Sequence, residues 1–298
     1  MRKREADETI RKAVKVMGMK ILVTGANGYL GQGIVAQILD NGHQVVAADL
    51  DVQRVDARAE CFSGDIFSLQ YPYRELGEPD ALLHLAWRDG FIHNSDAHIV
   101  DLPKHYLFLK QMLEDGLQQI CVMGSMHEIG FFEGSIKETT PCHPMSLYGI
   151  AKNALRDTVE LMAGQHGAVF QWLRGYYIVG NARYGSSIFT KILEAEEAGK
   201  AEFPFTTGQN QYDFLDYKEF CEQVAAAVGQ REVNGIINIA SGRPERLADR
   251  VEAFIQKNQY KIKLKYGAFP DRPYDSKAVW GDVSKITKIL EENKYKNN

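Results

Sequence analysis

Short apolar runs alternate along this chain with longer segments in which apolar residues recur every three or four positions. Lys20–Thr24 is an apolar run closed by glycine, and it predicts a buried strand. From Gly31 to Asn41 the residues Ile34, Val35, Ile38 and Leu39 fall at helical spacing. Gln44–Ala48 predicts a second strand, ending at Asp49, and Asp80–Ala86 and Gln119–Ser125 predict two more. Between those two, Pro103–Leu117 predicts a helix with Tyr106, Leu109, Lys110 and Leu113 on one face. A helix over Tyr148–Ala163 and strands over Val169–Leu173 and Gly235–Ala240 continue the rhythm. Strands that are apolar throughout, separated by amphipathic helices, are buried on both faces. The pattern therefore predicts an α/β fold with a parallel sheet covered by helices on either side.

Composition narrows the function classes. The chain has 298 residues, 45% of them hydrophobic, enough for one large domain or one domain plus a smaller lobe. A net charge of −4 supplies no basic surplus for nucleic acid. No apolar run approaches the roughly 18 residues that suggest a membrane span. The four cysteines, Cys61, Cys121, Cys142 and Cys221, lie far apart with no CxxC pair, which fits thiols in a reducing compartment better than disulfides or a metal site. The expectation is a cytoplasmic protein. Residues 1–18 are mostly charged with a weak apolar stripe, and are expected to form a loosely docked extension, the fold proper starting at Met19.

Candidate chemistry sits at the ends of the predicted strands. Thr24-Gly-Ala-Asn-Gly-Tyr-Leu-Gly31 places glycines at 25, 28 and 31 between a strand and a helix. Such glycines permit a tight turn, let backbone N–H groups approach a pyrophosphate and allow close helix–strand packing. Gly25, Asn27, Gly28, Tyr29, Leu30 and Gly31 are thus cofactor-binding candidates. Asp49 ends the second strand about twenty residues further on, where a carboxylate accepts hydrogen bonds from ribose hydroxyls and repels a 2′-phosphate. That favours NAD; Arg54 nearby leaves some room for NADP, and a solvated loop carboxylate is the plain alternative for Asp49. Further along, Tyr148-Gly-Ile-Ala-Lys152 puts a phenol and an ammonium on one helix face. Tyrosine, with an ordinary pKa of about 10, exchanges protons near neutrality only where positive charge favours its phenolate. Ser125, at a strand end just upstream, is placed to hydrogen-bond a reacting oxygen. Ser125, Tyr148 and Lys152 are the catalytic candidates.

In this order, glycine turn, Asp49, Ser125 and Tyr148/Lys152, the chain resembles the extended short-chain dehydrogenases of the NAD-dependent epimerase/dehydratase family, from Met19 almost to the C-terminus. Gly64-Asp65-Ile66 resembles the family's adenine-contacting segment, and Leu83-His-Leu-Ala-Trp87 its strand beside the cofactor phosphates. Leu173-Arg-Gly-Tyr-Tyr-Ile-Val-Gly180 resembles the turn beside the nicotinamide. The resemblance adds Asp65, Ile66, Leu85, Ala86, Trp87 and Tyr177, with Tyr148 and Lys152 themselves, to the cofactor-binding candidates. Tyr212–Asp216, Asn238–Gly242 and Asp271–Asp275 match later landmarks. It implies a Rossmann doubly wound parallel sheet over 19–174, completed near 210–240, and a smaller C-terminal α/β substrate lobe over 175–209 and 241–298. It also implies a homodimer formed through the helices near 103–117 and 148–163.

Departures matter too. Met126 and His127 stand where the family's dehydratases carry Asp-Glu, which disfavours elimination of water. The arginine that grips a diphosphate falls at Tyr212 and an asparagine falls at Tyr177, leaving Arg272 as a phosphate clamp. Ser125, Met126, His127, Tyr177 and Arg272 are the substrate-binding candidates. The implied activity is hydride transfer at a sugar carbon, as in a nucleotide-sugar 4-epimerase or 4-ketoreductase, and the same apparatus serves both. A dehydrogenase or reductase of a non-nucleotide carbonyl and a non-catalytic NAD-sensing regulator stay open as alternatives, though a regulator has no need of all three catalytic candidates. No metal is expected: His93, His98 and His105 suggest a metal cluster only by composition, and a surface or cleft loop accounts for them. Phe203, Phe205, Tyr212 and Phe214 are read as lobe packing, and the basic run Lys257–Lys265 as a solvated face.

Overall fold

The computed structural model describes residues 18–180, 183, 187–270 and 276–297. Of the extension read at 1–18 all but Gly18 lies outside the described residues, and so do the landmark Asp271–Asp275 and its candidate Arg272. β1 (Lys20–Thr24) leads into α1 (Tyr29–Asp40), β2 (Gln44–Asp49), β3 (Glu60–Ser63), α2 (Pro72–Glu75) and β4 (Ala81–His84). Then come α3 (Ala97–Val100), α4 (Leu102–Glu114), β5 (Gln119–Ser125), β6 (Gly134–Ile136), α5 (Leu147–His166), β7 (Val169–Gly175) and β8 (Tyr177–Val179). The remainder runs α6 (Ile188–Glu197), β9 (Glu202–Pro204), β10 (Gln211–Asp216), α7 (Tyr217–Val228) and β11 (Gly235–Ile239). It closes with β12 (Pro244–Arg246), α8 (Leu247–Lys257), β13 (Lys263–Lys265), β14 (Ala278–Gly281) and α9 (Ser284–Asn297).

A seven-stranded parallel sheet has the order β11-β7-β5-β4-β1-β2-β3. Winding outward from β1 through β2 and β3, the chain returns and builds the other half from β4, so the sheet is doubly wound and its order reverses between β1 and β4. A crevice at that reversal, beyond the strands' C-terminal ends, is the ligand position such topology creates. The strands β1, β2, β4, β5 and β7 are buried on both faces, as their apolar runs require, while the edge strand β3 is largely exposed. Ile21, Val23, Ala47 and Leu83 face the helices α1 and α7, while Leu22, Val46, Leu82 and Val122 face α4 and α5.

Local signals set the helix ends. Ser146 Oγ accepts from Gly149 N at 3.1 Å and starts α5, and Gly167, at φ 65°, stops it. Both ends lie outside the apolar periodicity, which is why α5 begins one residue before the predicted Tyr148 and runs three beyond Ala163. On α4 the buried side is His105, Phe108, Leu109, Met112 and Leu113. Leu109 and Leu113 are on the predicted face, but Tyr106 and Lys110 only flank it, because α4 packs on both the sheet and α5.

A second sheet has the order β12-β10-β14-β6, with β8 pairing β10. It takes β6 from within 19–174, while β11 is a late strand added to the main sheet. The lobe has its own core of Phe189, Ile192, Phe205, Phe214, Val251 and Ile262, with Phe203 and Tyr212 packed against it. Lys257, Lys261, Lys263 and Lys265 are exposed, as the reading of a solvated face requires.

Candidate active site

The glycine turn lies at the β1/β4 reversal. Gly25 has φ +70°, and a Cβ there would stand 2.7 Å from Ala86 N, so only glycine lets the turn pass beneath the end of β4. A Cβ at Gly31 would lie 2.3 Å from Gly25 O, so its absence lets α1 begin directly on the turn. Gly28 caps α1 without a side-chain bond, and no acidic residue occupies the first turn. The helix N-terminus therefore presents N–H groups and positive dipole end to the crevice, which suits an anionic pyrophosphate. Asp49 closes this cradle: its Oδ2 accepts from Asn27 N at 2.9 Å and its Oδ1 from Leu50 N at 2.7 Å. Gly64 N donates to Asp49 O at 2.9 Å, which brings the Asp65–Ile66 segment alongside, and Asp65 caps the short turn there through Phe67 N at 3.0 Å. Arg54 also reaches this corner, donating from Nη2 to Asn27 O at 3.3 Å. Leu85 N and Ala86 N bond Thr24 O and Oγ1 at 3.1 and 3.4 Å, completing the floor. The residues present fit a dinucleotide.

Ser125, Tyr148 and Lys152 converge one strand away. Ser125 ends β5, and its hydroxyl lies near enough to the Tyr148 phenol, on the first turn of α5, to favour the phenolate. Burial pushes the Tyr148 phenol up to about 12, opposed by the Ser125 hydroxyl and reinforced by the Glu128 charge. The phenol is thus held protonated in the protein alone. Lys152 is only 3% exposed, and burial pulls its ammonium down to about 7, partly countered by Glu128. Its Nζ donates to Met123 O at 2.9 Å and stands 3.7 Å over the Trp87 ring, but 5.9 Å from the Tyr148 ring centroid. The lysine that the sequence places beside the phenol is parked on a carbonyl and an indole.

Histidines enclose Tyr148, and here the sequence reading is corrected. His98 and His105 are not in an exposed or cleft loop; they are buried at 1% and 3% exposure. Their polar atoms find partners inside: His98 Nδ1 takes the Trp87 indole N–H at 3.0 Å, and His105 Nδ1 meets His84 Nε2 at 2.8 Å. His84 in turn reaches Thr24 Oγ1 at 2.8 Å. Burial holds His84 and His105 neutral, His105 down to about 3. His93 lies over Tyr148, rings 5.6 Å apart and 13° from parallel, and 4.3 Å from His127. His127, lowered to about 4 by burial, lies 6.1 Å from the Tyr148 ring, centroid to centroid. Tyr148 N donates to His93 O at 2.9 Å, which fixes the 88–96 loop on the helix start. Among the described residues, no group of three or more His, Cys, Asp or Glu is arranged to hold a metal.

Other candidates lie elsewhere. Met126 packs with Ile129, Ile136 and Tyr176, and the Tyr177 ring lies 4.7 Å from that of Tyr212, tilted by 45°, in the lobe. His93 lies in a loop, as the sequence reading had it, but its place over Tyr148 carries no motif, and Glu128 was missed. Glu128 is fully buried, accepts from Ser125 N at 2.6 Å and from Trp172 Nε1 at 2.9 Å, and pairs with Arg174 and Arg156 at 3.5 and 3.6 Å. The Ser-x-x-Glu spacing of a capping box was the available signal.

Residues 21–240 match the model of the NAD dependent epimerase/dehydratase family. The chain is 44% identical over 269 residues, 88% of its own length and 99% of the relative's, to the dTDP-6-deoxy-L-talose 4-dehydrogenase (NAD(+)) of Aggregatibacter actinomycetemcomitans. It is 23% identical, over 91% of its length and 77% of the relative's, to a probable UDP-arabinose 4-epimerase of Oryza sativa subsp. japonica. Among solved structures, the UDP-N-acetylglucosamine 4-epimerase of Methanobrevibacter ruminantium M1 superposes with TM-score 0.78 at 20% identity, covering 91% and 92% of the two chains. At that identity the superposition speaks for the fold. Fold, glycine turn and Tyr148/Lys152 helix agree with the family match: this chain belongs to the NAD-dependent epimerase/dehydratase family.

Proposed function

We propose that this protein is an NAD-dependent 4-dehydrogenase, or 4-ketoreductase in the opposite direction, of a nucleotide-linked deoxy sugar. The observation that carries the reading is the placement of Ser125, at the end of β5, and of Tyr148 and Lys152, on the first turns of α5, beside the dinucleotide cradle. Bound NAD supplies the hydride acceptor and donor. The chain's residues handle the proton: with oxidised NAD bound, its charge and that of Lys152 would favour loss of the Tyr148 proton to solvent, and the resulting phenolate Oη takes the proton of the sugar C4 hydroxyl during oxidation, while the phenol gives its proton to the carbonyl oxygen during reduction. Ser125 orients and stabilises the reacting oxygen, and Lys152 supplies positive charge. Gly25, Asn27, Gly28 and Gly31 hold the pyrophosphate and Asp49 the adenosine ribose; Asp65, Ile66, Leu85, Ala86 and Trp87 line the remaining cofactor wall. His127, His93 and the lobe residue Tyr177 face the sugar nucleotide. The 44% identity to a dTDP-sugar 4-dehydrogenase favours a dTDP-linked 6-deoxyhexose and net oxidation over epimerisation.

We further propose a cytoplasmic homodimer. Ile99, Val100, Leu107, Ile150 and Leu161 are exposed apolar residues on α3, α4 and α5, the helices available for a shared bundle. No helix among the described residues is long and apolar enough to cross a membrane. Replacing Leu161 by Glu should give monomers in analytical ultracentrifugation.

The test of activity is incubation of the purified protein with dTDP-6-deoxy-L-talose and NAD+, following NADH absorbance and identifying the sugar nucleotide by mass spectrometry and NMR. NADH formation with a 4-keto product supports the reading. A C4 epimer without net NADH makes the protein an epimerase instead, and no change in either compound overturns the substrate class.

A further inference from the structure

We infer that Trp87 is a positioning residue for Lys152: the face of its indole holds the ammonium against the Met123 carbonyl, and its edge is pinned by His98. The inference rests on the proposed role of Lys152 as the charge that supports Tyr148.

Lys152 is enclosed, and among the described residues it forms no ion pair. A buried ammonium without a counter-ion is costly and tends to lose its proton. The groups that face it offer little compensation. His84 on β4 and His105 on α4 are held neutral by burial, Tyr148 one turn earlier on α5 is a protonated phenol, and the Glu128 carboxylate after β5 acts only through its field. Asp101 and Lys104 reach the cluster only through His105. What touches the ammonium is the Met123 carbonyl at 2.9 Å and the Trp87 ring, 3.7 Å to its centroid. The indole π face is the strongest neutral partner a cation finds among side chains.

The ring is itself immobilised. One side stacks on His105 at 4.6 Å, 19° from parallel. Its Nε1–H donates to His98 Nδ1 at 3.0 Å, which fixes the His98 tautomer so that Nε2–H donates to Ile92 O at 2.9 Å. Trp87 therefore cannot turn away without breaking that chain, and Lys152 keeps one address between β5 and the indole. The attraction acts on the charged form alone, so Trp87 raises the pH at which Lys152 loses its proton and keeps the ammonium populated near neutrality.

The experiment compares the full-length unmodified protein, Trp87→Phe, Trp87→Leu and Lys152→Met. One readout is the pH profile of NAD+-dependent oxidation of dTDP-6-deoxy-L-talose. The other, in protein without cofactor, is an NMR titration of isotope-labelled lysine, assigned by the signal missing in Lys152→Met. Activity that needs the ammonium is lost as pH rises through the Lys152 pKa, so weakening the cation–π contact moves that alkaline limb to lower pH. The expected displacement in Trp87→Leu is about half to one and a half pH units, with a smaller displacement in the same direction for Trp87→Phe. The NMR midpoint should move with it. Should Trp87→Leu fail to fold, Trp87→Phe decides. Unmoved limb and midpoint in Trp87→Phe overturn the inference, and so does an upward move, which water admitted beside Lys152 would cause. Full turnover in Lys152→Met instead sinks the proposed role of the lysine and leaves the NMR midpoint to judge Trp87 alone.

Discussion

Ser125 and Glu128 cap each other across one turn. Ser125 N donates to Glu128 Oε1 at 2.6 Å, and Ser125 Oγ accepts the His127 N–H at 3.3 Å. The hydroxyl near Tyr148 is thereby aimed by a carboxylate in the protein interior, which is bonded in turn to Trp172 and paired with Arg174.

Removing that carboxylate should cost stability before it costs chemistry. Glu128→Ala leaves the Arg174 guanidinium buried without its partner, and is expected to destabilise by about 3–5 kcal/mol. Glu128→Gln, which keeps a side-chain acceptor, should lose about half as much. Urea unfolding of the two variants checks the order; equal stability of Glu128→Ala and the unmodified protein would show that the network contributes nothing.

Tyr148→Phe deletes the phenolic oxygen and keeps a ring between His93 and Trp87. Turnover should fall about 10²–10⁴-fold, the weight of one general acid–base group, while NAD affinity stays unchanged. Ser125→Ala should fall less, losing one hydrogen bond to the reacting oxygen. Steady-state kinetics with calorimetric NAD titration would reveal the opposite order, if the roles are wrongly assigned.

Cofactor choice is expected to follow Asp49. Its carboxylate is already engaged by Asn27 N and Leu50 N, so it is oriented before the ribose arrives. Asp49→Ala should weaken NAD binding about 10- to 100-fold, the worth of charge-assisted hydrogen bonds, and narrow the preference over NADP. Fluorescence titration with both cofactors measures it, and equal affinities in the unmodified protein would remove Asp49 from that role.

The buried histidines predict an acid limb of stability. His105 and His127 are lowered from 6.5 to about 3 and about 4, so the folded protein holds them neutral. Below about pH 6.5 the unfolded chain binds the protons the folded chain refuses. Stability therefore falls with decreasing pH, by about 1.4 kcal/mol per unit for each such group, until the folded pKa is reached. His105→Gln should flatten the slope between pH 6 and 4 by about one proton's worth. An unchanged slope in urea midpoints would mean that His105 is already charged in the native protein.

The sequence by itself determined what rests on short spacing. Alternating apolar strands and helices follow from periods read within a dozen residues, and so do the Gly25–Gly31 turn, Asp49 at a strand end and the four-residue step from Tyr148 to Lys152. Each is a relation within one element or between neighbouring ones along the chain. The tertiary structure decided the rest. His98 and His105 look polar in sequence, yet each found a partner inside, His98 in Trp87 and His105 in His84, and so could be buried. Glu128 became a buried carboxylate because Trp172, 44 positions away, meets it across the sheet. Lys152 left the phenol for Trp87 because a buried ammonium takes whatever carbonyl and π face the neighbouring strands present. Such choices depend on contacts between distant segments, which no window of sequence contains.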